Sequence, residues 1–244
     1  MGNSIFNRAY KPIKKYLPNF ASMIIRSIVT ILIAPSYQAY KKGFIRSSLL
    51  NCAVDKQGKA IPWYTYSCIY FLNSRDFSQK QILEIGSGQS TLWWQDRAKN
   101  VLSIEENEEW FNKVKNKSKD NVKIELVTIG KEVDNPLNKL NWQNLVDKSI
   151  IKHNYKSFDV IIIDGGLRTN AINIAKKFIS EDGIIIADNS EGGRYFEEFK
   201  HSDFLRVDFT GEGPGVIDTS TTSIYFQKGS CFAFRPDVPM EKPI

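Results

Sequence analysis

The chain has 244 residues, 42% hydrophobic and 25% charged, which suits a globular body with a sizeable core rather than a disordered or fibrous chain. Its net charge of +6 is unevenly placed: residues 1–54 hold eight basic residues (Arg8, Lys11, Lys14, Lys15, Arg26, Lys41, Lys42, Arg46) and no acid. Beyond them stand 25 basic against 27 acidic residues, so the charge gives no support to a chain-wide nucleic-acid surface.

In chain order, residues 20–35 come first. Met23, Ile24, Ile25, Ile28, Val29, Ile31, Leu32 and Ile33 predict an apolar helix, with Ser22, Arg26, Ser27 and Thr30 as a narrow polar stripe. The run falls short of the ~20 residues that span a bilayer. Arg26 interrupts it, and no signal-peptide cleavage pattern follows. A basic, acid-free lead also fits an organellar transit peptide, whereas Phe6 stands where a myristoylation signal has Ser or Thr. Two readings stay open: the helix packs on the body of the protein, or it makes a peripheral contact with an anionic membrane. Residues 1–59 are expected to form this basic helical extension, 60–230 the main domain and 231–244 a tail.

A helix over 62–72 carries Trp63, Tyr64, Tyr66 and Tyr70. Strands are predicted at 81–85, 100–104, 122–128, 158–163, 183–187, 203–209 and 222–227, with helices at 89–98, 107–118, 140–153, 168–180 and 191–200. Such alternation describes a parallel sheet with helices on both faces, an α/β Rossmann-like fold. The runs Val160-Ile161-Ile162-Ile163 and Ile184-Ile185-Ile186-Ala187 read as central strands buried on both sides. No helix fits between the last two strands, which predicts a closing antiparallel hairpin.

Strand 81–85 ends in Gly86-Ser87-Gly88, and strand 100–104 ends in Glu105. Glycines let a ligand approach the backbone, a helix start offers free N–H groups, and a carboxylate accepts bonds from ribose hydroxyls. The combination reads as a nucleoside-cofactor site. Thr91 stands where a dinucleotide fingerprint has its third glycine, which disfavours a nicotinamide-dependent oxidoreductase as the alternative. A binding protein that keeps the fold without turnover is the non-enzymatic alternative. Two histidines, His153 and His201, leave little for Ser–His or multi-histidine metal chemistry. The three cysteines, Cys52, Cys68 and Cys231, lack metal-ligand spacing and point to a reducing, cytoplasmic location.

Seven strands, six alternating with helices and the last returning as a hairpin, resemble the class I S-adenosylmethionine-dependent methyltransferase fold over residues 60–230. That fold has six parallel strands and one antiparallel. Glu84-Ile85-Gly86-Ser87-Gly88 is similar to the family's first motif, and Glu105 to the acid that binds the ribose. The resemblance implies S-adenosyl-L-methionine as cofactor, held by Glu84, Gly86, Ser87, Gly88, Ser90, Glu105 and Asp164. Gln89-Ser90-Thr91-Leu92-Trp93, Ser103-Ile104-Glu105-Glu106-Asn107-Glu108-Glu109-Trp110, Gly213-Pro214 and Thr221-Thr222-Ser223-Ile224-Tyr225-Phe226 are similar to a little-characterised bacterial group. Members of that group occur among enzymes that build surface glycans, which implies a small-molecule or glycan acceptor, while the charge distribution predicts no nucleic-acid partner. After the third strand the chain departs from the wider family: Val127-Thr128-Ile129-Gly130 has no carboxylate to contact adenine.

Asp164 follows the strand 158–163, and Asp188-Asn189 follows 183–187, at strand ends facing the crevice where α/β folds bind ligands. Two carboxylates and an amide oxygen would suit Mg²⁺ or another divalent cation. The placement resembles the metal-binding set of catechol and caffeoyl-CoA O-methyltransferases, which implies metal ligation by Asp164, Asp188 and Asn189. An ion there would hold an acceptor hydroxyl and lower its pKa. The alternative is capping, because Asp and Asn are common in turns after strands. Leu167 stands where catechol-type enzymes carry a lysine. Arg168, beside it, stays protonated and is expected to bind an anionic acceptor rather than act as a base. Asp164, Asp188 and Arg168 form the expected catalytic group. Trp63, Tyr64, Tyr66 and the loop 211–215 are expected to shape the acceptor pocket and its lid. The oligomeric state stays open.

Overall fold

The structure, a computed structural model, describes residues 16, 18–128, 135–193, 195–200 and 202–227. Ile129, Gly130, His201, Cys231 and the expected tail lie outside the described residues. Three helices open the described part: α1 (Asn19–Leu32), α2 (Ala34–Lys41) and α3 (Phe44–Leu50). The first two run on as one 23-residue helix, Asn19–Lys41, longer than the predicted 20–35 and long and apolar enough to cross a membrane. The prediction stopped at Pro35, but this proline occupies the first turn of α2, where its missing N–H costs little. Phe20, Met23, Ile31 and Leu32 are each more than half exposed, so among the described residues nothing covers the apolar side of this helix. Its follower α3 is clasped: Ser47 Oγ donates to the Val54 carbonyl (2.8 Å) and accepts from the Val54 N–H (3.0 Å). Ala53 and Val54 are buried, so the end of the expected extension is part of the body.

The helix α4 (Tyr66–Asn73) begins four residues later than predicted. Thr65 Oγ1 accepts from the Cys68 N–H and caps it, leaving Trp63 and Tyr64 on the approach segment. There follow β1 (Gln81–Ile85), α5 (Gln89–Trp94), β2 (Asn100–Glu105), α6 (Glu108–Lys115), β3 (Val122–Leu126), α7 (Pro136–Lys152), β4 (Phe158–Ile163), α8 (Arg168–Phe178) and β5 (Ile179–Ala187). A 3-10 turn (Glu191–Gly193), α9 (Phe196–Phe199), β6 (Phe204–Glu212) and β7 (Thr219–Gln227) close the chain's order. Local chemistry explains several starts. Asn107 caps α6, with Glu108 and Glu109 in its first turn and Lys113 and Lys115 in its last, matching the helix dipole. Asn135 caps α7 ahead of Pro136.

The strands form one seven-stranded sheet in the order β3-β2-β1-β4-β5-β7-β6. β7 runs antiparallel to both neighbours and the other six strands are parallel, the arrangement the sequence predicts. Alternate side chains of the central strands feed two core layers. Leu83, Leu102 and Ile161 pack with Trp142 and Ile172 on one face. Ile82, Val101 and Ile162 pack with Trp93, Trp94 and Tyr64 on the other. Burial on both faces is why β4 and β5 read as continuous isoleucine runs. The carboxyl ends of β1, β4 and β5 meet at one rim.

Candidate active site

A cleft of about 380 Å³ opens at that rim. The turn Gly86-Ser87-Gly88 forms its floor, Asp164, Asp188 and Asn189 one wall, and Trp63, Gly213 and Val216 the opposite lip. Cys52, from the segment after α3, joins the lining and accepts a hydrogen bond from Gln89 Nε2.

The two glycines of the turn differ in what they are for. Gly86 has φ +101°, and a Cβ on it would come 2.6 Å from the Gly165 nitrogen, so this glycine serves the contact between the β1 and β4 loops. Gly88 is extended, and a Cβ there would meet only Ser90 Oγ, at 3.8 Å. Protein packing does not require glycine at 88, and beyond that one contact a Cβ there would point into open space. The Gly88 N–H donates to Thr91 Oγ1 (3.0 Å), and the Thr91 hydroxyl donates to Glu84 Oε2. Thr91, fully buried, is thus a latch between turn and strand.

Glu84 is fully buried behind the turn and, like Glu105, is not among the residues that line the cleft. Ser103 Oγ also donates to its Oε2 (2.8 Å), while Oε1 has no hydrogen-bond partner. Burial pushes this carboxyl up from 4.5 to about 7; the Ser90, Thr91 and Ser103 hydroxyls offset part of that, and the Glu105 charge adds to it. Glu105, 5% exposed, stands just behind the floor. Its Oε2 accepts from the Ser87 N–H (2.6 Å), and its Oε1 from the N–H groups of Glu106 (2.9 Å) and Asn107 (2.8 Å). A carboxylate offers about four acceptor positions, so the arrangement fixes the turn and leaves room for a further donor.

On the wall, Thr222 Oγ1 donates to Asp188 Oδ1 (2.7 Å) and in turn accepts from the Thr65 N–H (3.1 Å). Burial raises the Asp188 carboxyl from 3.8 to about 6, against the Thr222 bond and the Arg168 charge. Asp164 is pushed well above the usual carboxylate range by burial and by the Asp188 charge, with Arg168 opposing. Arg168 is locked between the two strand ends: Nε donates to the Gly165 carbonyl (3.0 Å), Nη1 to the Asp188 carbonyl and to Asn189 Oδ1 (3.0 Å each). Its Nη2 lies 3.7 Å from Asp164 Oδ1. Leu167 and Asn189, flanking this clamp, both hold left-handed backbone (φ 41° and 50°), a strain of about 1–3 kcal/mol each.

That clamp bears on two expectations. Arg168 spends three of its five N–H donors on protein oxygens and so ties the two strand ends together. Of the side-chain oxygens expected to ligate a divalent ion, the guanidinium engages Asn189 Oδ1 and lies 3.7 Å from Asp164 Oδ1, while Asp188 Oδ1 is held by Thr222, and a cation added beside the guanidinium would be repelled. With Arg168 standing among them, these residues do not fit a metal. Of the three expected pocket aromatics, Trp63 lines the cleft, with its indole N–H on the Pro214 carbonyl (2.8 Å), whereas Tyr64 and Tyr66 are buried outside it. Gly86, Ser87, Gly88, Ser90, Asp164 and Asp188 do come together around the cleft. Sequence reasoning gave no role to Trp110, an exposed aromatic in the first turn of α6 that reaches the lining, nor to Thr222. An exposed tryptophan five residues after a strand-tip acid is a usable signal; Thr222 carries none until β7 is paired.

No protein-family model and no curated protein matches the sequence. Among solved structures, the chain is similar to the O-methyltransferase TomG from Streptomyces achromogenes, which is involved in tomaymycin synthesis and was crystallised with S-adenosylmethionine. Identity is 15%, with 84% of this chain and 96% of that one covered and a TM-score of 0.50. Looser matches include the tRNA (m1A58) methyltransferase TrmI from Aquifex aeolicus (14% identity, 69% and 72% covered, TM-score 0.45). A methyltransferase-like protein from Silicibacter pomeroyi matches at 17% identity over 62% and 80%, with a TM-score of 0.45. The chain has the class I methyltransferase fold.

Proposed function

We propose that the protein is an S-adenosylmethionine-dependent methyltransferase acting on an oxygen nucleophile of a small molecule or glycan in the cytoplasm. The observation that carries the reading is the glycine turn at the floor of the cleft, with Gly88 left open to a ligand and Glu105 behind it. The fold shared with an S-adenosylmethionine-bound O-methyltransferase supports the same cofactor class. Thr91 and the antiparallel β7 weigh against a dinucleotide. The described cysteines, Cys52 and Cys68, are free thiols, which suits a reducing compartment.

When bound, the cofactor supplies a methyl group already activated as a sulfonium. The chain's own tasks are then positioning and proton removal. Trp63 and Val216 bound the acceptor side and exclude water, and alignment alone supplies about 7–11 kcal/mol in favourable cases. Asp188, ionised above about 6, takes the acceptor hydroxyl proton on Oδ2, the oxygen that Thr222 does not bind. Arg168 holds Asp164 and Asn189 in place beside it.

Calorimetric titration tests the assignment. S-adenosylmethionine should bind the full chain and NADH should not, and Glu105→Gln should weaken binding by one charge-assisted bond, about 1.5–3 kcal/mol. Absent binding, or unchanged affinity in Glu105→Gln, would refute the cofactor site.

A further inference from the structure

Methyl transfer leaves the helix Asn19–Lys41 unused, although it is the most apolar exposed element among the described residues. Its most apolar window has a mean hydropathy of 1.6 with 6% of it buried. At 3.6 residues per turn, Phe20, Ile24, Ile28, Ile31 and Leu32 share one side, and Ser22, Arg26, Thr30, Tyr37 and Lys41 the other, where Met23 and Ile33 are the apolar exceptions. Thr30 Oγ1 donates to the Arg26 carbonyl, so the stripe's hydroxyl needs no outside partner.

We propose that Asn19–Lys41 lies in the plane of an anionic bilayer surface, apolar side down, and holds the cleft's lip at the membrane. Length alone would permit spanning, but spanning would carry the whole polar stripe, with Arg26 in it, into hydrocarbon. Lying flat, the helix buries only its apolar side and lets Arg26 and Lys41 reach lipid phosphates. Charge names the kind of surface: residues 1–54 hold eight basic residues and no acid, the complement of anionic headgroups. The helix is also joined to the lip. Lys42, at its end, lies 3.8 Å from Glu212 and over the Tyr66 ring. A Cβ on Gly215 would come 2.6 Å from the Ser48 nitrogen, so the β6–β7 turn leans directly on α3. Beside that contact Leu49 and Ile217 are 81% and 87% exposed, further apolar groups on the same rim.

The test uses the full chain and no activity readout, so it stands whatever the cofactor reading meets. Preformed vesicles of phosphatidylcholine alone, and with about 30% phosphatidylserine, are sedimented with the protein at low and high salt. The expected result is binding to the anionic vesicles alone, weakened at least about tenfold by 0.5 M salt. Ile28→Asp with Ile31→Asp should lose binding at least about tenfold while keeping its circular dichroism and thermal transition. Equal binding to neutral vesicles, no binding, or an unaffected double variant would overturn the proposal. So would protein that resists an alkaline carbonate wash, which marks a spanning helix, or a dimer in ultracentrifugation that persists with vesicles, which marks a second copy on the apolar side.

Discussion

Glu84 offers the sharpest physical test of how the site is built. Its carboxyl is raised from 4.5 to about 7 by burial, so the folded state binds its proton more tightly than the unfolded state does. A raised carboxyl contributes stability that is present in acid and lost as pH rises through about 7. At ~1.36 kcal/mol per pH unit of separation, the whole effect is about 3 kcal/mol, of which about 2–3 kcal/mol falls between pH 5 and pH 8. Glu84→Gln keeps an oxygen for Thr91 and Ser103 and cannot ionise. Urea unfolding of both proteins at pH 5 and pH 8 isolates the term, because Asp164, Asp188 and every other titrating group remain in each. The variant should lose about 2–3 kcal/mol less than the wild type over that interval. An identical pH dependence in the two proteins would show that Glu84 is ionised and solvated, and that the latch through Thr91 is misdescribed.

Gly86→Ala should lower stability by about 1–3 kcal/mol in thermal unfolding, because the added carbon meets Gly165 and φ is positive. Gly88→Ala should melt normally yet weaken cofactor binding; matching melts with matching affinities would refute the division of roles. The rate of turnover should rise with pH through about 6 as Asp188 ionises, and Asp188→Asn should remove that limb and about 10²–10⁴ in kcat. Dialysis against a chelator should leave turnover intact, whereas loss restored by Mg²⁺ would mean that Arg168 yields its place to a metal.

The sheet was legible because its signals are local. Unbroken isoleucine runs mark β4 and β5, and a glycine-rich stretch with no room for a helix marks the final hairpin. What the sequence hid depends on residues far apart in the chain. Helix α4 starts late because Thr65 caps it, and Thr65 is in turn held by Thr222 of β7, a pairing no local propensity reveals. Asp164 and Asn189 look like metal ligands until Arg168 is found between their strand ends, since its bond to Asn189 joins two loops. Gly86 and Gly88 look alike in sequence, and only the neighbouring β4 loop distinguishes them. The apolar stripe of α1 was visible; its exposure was not, because the same stripe serves equally well in a core.

The contact of Gly215 on Ser48 also has a consequence for biosynthesis. The lip of the cleft joins a helix made early to a turn made about 170 residues later, which at ~5–20 residues per second is roughly 10–30 s of elongation. Through that interval the nascent chain carries the bare apolar side of α1 and an α3 without its partner. The helix is therefore made well before the turn that its neighbour α3 leans on. The lip of the cleft is accordingly among the last parts of the fold to close.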